Sequence, residues 1–154
     1  MPKVAITESP IRAEEFLADL PSSSDGAMVL FLGVVRDHHD GRAVKGLVYE
    51  AYREMAEETL ALIAAEVEER FGTDRIAALH RIGALGIGEV ATAIAVATPH
   101  RAEAYEASRY FIEELKKRLP VWKREEYVGG EARWLEGTIP PGTARKLGER
   151  EDGR

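Results

Sequence analysis

No cysteine occurs among the 154 residues, which rules out a disulfide framework, a thiolate metal site and a cysteine nucleophile. Any sulfur chemistry performed by this chain must therefore use sulfur brought by another molecule. No run of about 18 apolar residues is present to span a membrane as a helix. Residues 1–7 lack the long apolar core of a secretion signal, so the cytoplasm is the expected location. Positive charge is also scarce: 21 Lys and Arg stand against 27 Asp and Glu, a net charge of −6. That balance argues against general nucleic-acid binding, which needs a broad basic face to displace counterions. Ser22-Ser23-Ser24 has no nucleophile-elbow pattern around it. The glutamates fall on solvated helix faces, which leaves paired-carboxylate hydrolysis unsupported. His38-His39 comes without the rest of a ligand set, so no metal is expected.

What is present is the composition of a soluble globular domain, 45% hydrophobic and 31% charged. Residues 1–140 are long enough to bury one core. From about residue 141 the chain turns Pro-, Gly- and charge-rich, as a flexible tail would.

The periodicities alternate between strand and helix. Residues 4–7 are β-prone. Ser9-Pro10 has the form of an N-cap with Pro at the first helical position, followed by Ala13, Phe16, Leu17 and Leu20 at helical spacing up to Pro21. Residues 22–26 form a loop by composition. Residues 28–35 are a continuous apolar run interrupted by Gly33, the pattern of a buried central strand with a bulge or a close backbone approach. Residues 36–42 read as a polar surface loop, and residues 47–52 as a second strand. Ala56, Leu60, Ile63, Val67 and Phe71 mark an amphipathic helix closed by Gly72. A strand is expected over 75–82. The Gly-rich segment 83–88 fits no phosphate-binding pattern and reads as a turn or hairpin linker. Residues 89–98 are small and apolar, a strand covered on both faces. Tyr105, Ser108, Ile112, Leu115 and Leu119 make the inward stripe of a second long helix, which Pro120 ends. Gly129-Gly130 joins strands over 122–128 and 131–136 as a C-terminal hairpin. The class is α+β: two long helices on one side of a mostly antiparallel sheet.

One stretch runs against the chain's acidity. Residues 115–124 hold five positive charges and no negative one, divided by Pro120. Lys117 and Arg118 each have a glutamate four residues earlier (Glu113 and Glu114), the usual surface pairing. Lys116 has Ile112 there instead and lies about 40° from it on the helical wheel, at the rim of the apolar stripe. Partial desolvation there would lower its pKa and make it a nucleophile or proton donor near neutral pH. The same pattern also fits a lysine laying its stem over the core edge. Lys123, on the strand after the break, either folds back towards Lys116 or shares a wet face with Glu125 and Tyr127. His100 and Arg101 open the second long helix, where free N–H groups already favour an anion. Arg36 leaves the strand end beside Gly33. Together these residues describe a pocket for a phosphorylated or carboxylated small molecule, acted on by an enzyme or bound by a non-catalytic sensing domain.

Four pieces of the chain resemble the catalytic (large) subunit family of molybdopterin synthase. They are Phe31-Leu32-Gly33-Val34-Val35-Arg36-Asp37-His38, Leu79-His80-Arg81-Ile82-Gly83, Thr98-Pro99-His100-Arg101, and Leu115-Lys116-Lys117-Arg118-Leu119-Pro120-Val121-Trp122-Lys123-Arg124-Glu125, with Trp134 following. The resemblance implies an α/β hammerhead-type fold and a homodimer, a heterotetramer once two small ubiquitin-like sulfur carriers are bound. The carrier's C-terminal Gly-Gly thiocarboxylate would deliver two sulfurs in succession to cyclic pyranopterin monophosphate, giving molybdopterin with no cofactor. It implies Lys116 and Lys123 as catalytic residues, Arg36, His100 and Arg101 as holders of the substrate phosphate, and Phe31 and Ile112 as pocket lining. Two departures stand out. Val34 occupies a position that is basic in many relatives. Glu136-Gly137-Thr138 stands where an arginine often reaches the neighbouring subunit's site, which leaves Arg133 as a candidate for that role.

Overall fold

Strand β7 (Val90–Thr98) carries only small and branched apolar residues and threonine, and eight of its nine residues are buried. A strand of that composition needs neighbours on both edges and cover on both faces. In the computed structural model, which describes residues 2–130 and 132–134, it has both. β5 (Ile76–Arg81) and β2 (Ala27–Val34) pair with it antiparallel on either side, and β1 (Lys3–Thr7) adds parallel to β5, giving the order β1-β5-β7-β2. Helices α2 (Arg53–Phe71) and α3 (Arg101–Arg118) cover one face. Leu60, Ile63 and Val67 of α2 and Phe111 of α3 are fully buried against Ile6, Ile76, Ile94 and Val96 of the sheet. Each such side chain contributes roughly 1.5–3 kcal/mol through burial. On the other face a smaller cluster joins Leu20 to Ala77, Ala93, Ala95 and Ala97.

The second sheet is built around β4 (Arg42–Ala51). It pairs with β3 (His38–His39), β6 (Gly83–Gly86) and β8 (Val121–Tyr127), and β9 (Ala132–Trp134) extends β8. The expected α+β class holds: two long helices on a mixed, mostly antiparallel sheet.

Several local expectations are corrected. β2 is an edge strand, not a central one; Leu32 and Val34 are 38% and 53% exposed. The bulge expected at Gly33 is real, with the register shifting between Gly33 and Val34. No close approach requires glycine there, since an added Cβ would meet Thr92 and Phe31 at ordinary contact distances of 3.5 and 3.6 Å. Ser9-Pro10 starts no helix. The first helix, α1, is a single turn, Glu14–Leu17, and the Ser9 N–H donates to Thr7 Oγ1 instead. The supposed loop 36–42 contains a tight hairpin in which Asp40 (φ 49°) and Gly41 (φ 75°) both take the left-handed conformation of a type I′ turn. The Gly-rich linker is partly strand, β6. The stripe of α3 is rotated from the expected one: Ala104, Ala107, Ser108, Phe111 and Leu115 are buried, while Tyr105 is 65% exposed and Ile112 only partly covered. The C-terminal hairpin forms as expected around Gly129 and Gly130. Its residues 131, 135 and 136, the segment 136–138 and the proposed tail 141–154 lie outside the described residues, as does the Arg133 side chain.

Candidate active site

Pro120 cannot donate to the helical ladder, and it forces the residue before it out of helical conformation. Leu119 accordingly closes α3 in extended conformation (φ −68°, ψ 125°), its own N–H still reaching the Leu115 carbonyl at 2.9 Å. The chain then turns directly into β8. Lys116 at the end of the helix and Lys123 on the strand are thereby brought to one cavity.

The cavity has two lobes that share Tyr49, Lys116 and Lys123. One, of about 270 Å³, is lined besides by His80, Leu115, Leu119 and Val121. The other, about 230 Å³, adds Arg36, His38, Thr92 and Glu125 among others. The walls come from α3, β8, β4, β5 and the end of β2, so both sheets contribute. The alternation of β8 decides the open question about its faces. Glu125 and Tyr127 are 4% and 2% exposed, so the face that carries Lys123 points inward.

Lys116 keeps solvent access through the cavity mouth, but enough protein surrounds its ammonium for desolvation to lower its pKa, with the charge of Lys123 second. The C-terminal dipole of α3 favours the cation and so acts against both effects. The other charges of the segment are spoken for. Lys117 pairs with Glu114 at 3.1 Å, not with Glu113, which answers Arg109. Arg118 forks onto Glu66 of α2 at 2.7 and 2.8 Å. Arg124 faces Glu126 at 3.7 Å.

Three lining residues carry roles that sequence patterns did not assign. Tyr49 meets His80 edge-on, ring centroids 4.8 Å apart. Burial, and then the charge of Glu125, push the Tyr49 phenol up to about 12. His80 Nδ1 lies 2.9 Å from the Arg81 carbonyl, which can only accept, so Nδ1 carries the hydrogen and Nε2 is left as an acceptor. Burial pushes this imidazole down to about 4, and Lys116 and Lys123 add to the effect against the pull of that carbonyl. The cavity thus holds a neutral imidazole, a protonated phenol, three cationic side chains and the Glu125 carboxylate. His80 in the Leu79-His80-Arg81 piece and Glu125 at the end of the Leu115–Glu125 piece are hinted at by motif placement, without a role, and Tyr49 is not. Tyr49 and Glu125 depend on strand pairings between segments some 75 residues apart.

The remaining expected site residues are not at this cavity in a single chain. His100 caps α3 in extended conformation, and it and Arg101 are exposed at the opposite end of the helix from Lys116. Fifteen residues of helix separate Arg101 from Lys116, about 22 Å. Phe31 and Ile112 pack, partly buried, against the main core and do not line either lobe. Among the described residues no group of three or more His, Asp or Glu is placed to hold a metal ion, and no helix is long and apolar enough to cross a membrane.

These features can be compared with known proteins. The molybdopterin synthase catalytic subunit of Halalkalibacterium halodurans is 44% identical over 97% of both chains. The crystal structure of molybdopterin synthase from Staphylococcus aureus superimposes with a TM-score of 0.81 at 39% identity, over 86% of this chain and 96% of that one. A complex of subunits 1 and 2 of molybdopterin-converting factor from Helicobacter pylori includes a chain with the same fold, TM-score 0.70 over 94% of this chain and 97% of that one, at 19% identity. Residues 6–118, which hold β2 to β7 and α3 up to Arg118 but stop short of β8, match the family described as MoaE protein, and this chain belongs to that family.

Proposed function

We propose that this protein is the catalytic subunit of a molybdopterin synthase. It converts cyclic pyranopterin monophosphate to molybdopterin with two sulfurs from the C-terminal thiocarboxylate of a small ubiquitin-like carrier, in the cytoplasm. The observation that carries this reading is the convergence of Lys116, Lys123 and Arg36 on one cavity in a chain without cysteine. Both reactants are anions, and the cavity is cationic. Sulfur has to arrive from outside, which a carrier tail reaching the lysines supplies. Lys116, held at lowered pKa, exchanges a proton at the reacting centre, and Lys123 offsets negative charge that develops there. Arg36 holds the phosphate on its side of the cavity. The apolar lobe formed by Leu115, Leu119 and Val121 suits the stem of the incoming tail.

His100 and Arg101 join this scheme only from a second copy, because α3 is too long for them to reach Lys116 of their own chain. A homodimer in which each α3 start faces the other subunit's cavity supplies the extra anion-binding groups, and one carrier per subunit makes a heterotetramer. Phe31 and Ile112, at the edge of the core, support the cavity wall.

The test is incubation with thiocarboxylated carrier and the cyclic precursor, with mass spectrometry of the pterin product. Wild type gains two sulfurs. Lys116→Ala is expected to lose about 10²-fold or more of this turnover, the range for removing a general acid–base group, with its thermal unfolding unchanged. Full turnover by that variant would overturn the assignment. Stabilisation by the precursor without sulfur in the product would identify a sensing domain.

A further inference from the structure

Each sulfur that leaves a thiocarboxylate is replaced on the carrier by a water oxygen, so the two hydrogens of that water must be moved at the reacting centre. A tail and a substrate filling the cavity would narrow the mouth through which Lys116 meets solvent. A second way out for protons would then be of use, and a line of titratable side chains runs outward from the cavity wall.

Glu125 lies two residues beyond Lys123 on the same face of β8, roughly 7 Å along the strand. Its side chain is 5% exposed, and Oε2 has no hydrogen-bond partner among the described residues. Its Oε1 faces His39 Nδ1 at 3.6 Å, about half an ångström beyond a hydrogen bond. A small rotation of either side chain closes that gap. The other nitrogen of His39, Nε2, is 3.1 Å from Asp40 Oδ2. Side-chain exposure climbs along the series from 5% at Glu125 through 20% at His39 to 87% at Asp40. The backbone fixes this order. The Asp40-Gly41 turn sets His39 opposite Arg42, and Arg42 lies 4.0 Å over the Tyr127 ring, which pins the hairpin to β8.

We propose that Glu125, His39 and Asp40 form a proton relay from the lysine cavity to solvent, with Glu125 and His39 as positioning residues for the proton exchange of Lys116 and Lys123. The proposal rests on the synthase reading above. In the outward direction Glu125 takes up a proton from the cavity and passes it to His39 Nδ1. The imidazolium releases its Nε2 proton to the Asp40 carboxylate, which gives it to water. One proton enters, one leaves, and rotation of the neutral ring or a reverse transfer resets the tautomer. The buried carboxylate oxygen without a hydrogen-bond partner, otherwise a cost to folding, has a use in this arrangement.

The experiment measures sulfur transfer by purified protein with thiocarboxylated carrier and cyclic precursor at low buffer concentration. His39→Gln keeps a polar side chain of similar reach that cannot relay a proton. Its kcat is expected to fall roughly ten-fold, less than the ~10²–10⁴-fold loss of a direct general acid–base, with KM for the precursor unchanged. Added imidazole or another small buffer should restore the rate, whereas wild type is indifferent to it. Asp40→Asn, an exposed change that the turn accepts, should show a smaller loss with the same rescue. Wild-type kcat in both variants, or a loss that buffer does not restore, overturns the relay while leaving the synthase reading intact. No turnover by wild type overturns both.

Discussion

Both ends of α3 carry positive charge, and they differ in what the fold does with it. At the start, His100 and Arg101 stand in solvent beside the positive end of the helix dipole, an arrangement unfavourable to the helix itself. At the end, Lys116, Lys117 and Arg118 sit where the dipole favours cations. Yet it is at this favourable end that one lysine is pushed towards neutrality, by burial and by Lys123. Position on the dipole therefore does not predict which cation is reactive. Arg118, two residues from Lys116, is held by Glu66 and Glu114 and has its pKa raised. The difference between the two is partnership: a cation with a carboxylate is structural, and a cation set among apolar groups and another cation is available for chemistry. Among the described residues the first end has neither kind of surroundings, and a second copy could supply them.

The largest effect comes from breaking the two ends separately. Lys116→Ala and Arg101→Ala should each lose most sulfur-transfer turnover as homodimers. Mixed and allowed to exchange subunits, they should regain about a quarter of the wild-type sites, because half the dimers are mixed and each mixed dimer has one site with both residues. Recovery of nothing, measured after exchange is shown by mass spectrometry of the dimers, would place both ends in one subunit's site or Arg101 in none.

A smaller effect tests how dry the cavity is. The folded-state pKa of His80, about 4, lies below its ordinary 6.5, so between these values the unfolded chain binds a proton that the folded one does not. Stability contributed by keeping this imidazole neutral is present above pH 6.5 and is lost as the pH falls towards 4, by up to roughly 3 kcal/mol. Urea unfolding from pH 7 to 4 should show this slope, and His80→Phe should flatten it. An equal slope in the variant would put the titration elsewhere.

The smallest effect sharpens the contrast between neighbours. Arg118→Ala should cost about 1 kcal/mol by losing its half-exposed fork onto Glu66, and Lys117→Ala under about 0.5 kcal/mol. Neither should change turnover. A ten-fold rate loss in Arg118→Ala would remove the distinction drawn between the partnered and unpartnered cations.

Some of this architecture could be read from residues alone, and the rest had physical reasons to stay hidden. Local signals held. The buried stripe of α2 and its closure at Gly72 (φ 73°) follow from period and glycine, and β7 is covered on both faces as its composition demands. Pairing across the chain was not legible. An apolar run such as β2 reads the same at a sheet's edge as at its centre, and only its neighbours decide. Period two identifies the faces of β8 without saying which is inner; β4 lying across it, Tyr49 opposite Lys123, settles that. Helix phase and a proline single out Lys116 and Lys123 as candidates, while leaving open a surface reading for each, and the family resemblance gives them a role. His80 and Glu125 stand in motifs of that resemblance without a role and Tyr49 in none, because all three join the site through pairings that no window of sequence contains.

One consequence follows from β4, which pairs with β3, β6 and β8 along its ten residues. Its contribution to the cavity has a parity. Inserting a single residue ahead of Tyr49 would turn every later side chain of the strand to the opposite face, sending Tyr49 outward while the ladders still close. Inserting two would restore the faces and displace the site by about 7 Å along the strand. Length changes inside β4 therefore fall into two classes: an odd one turns Tyr49 away from the centre, and an even one keeps it facing the centre at a new height.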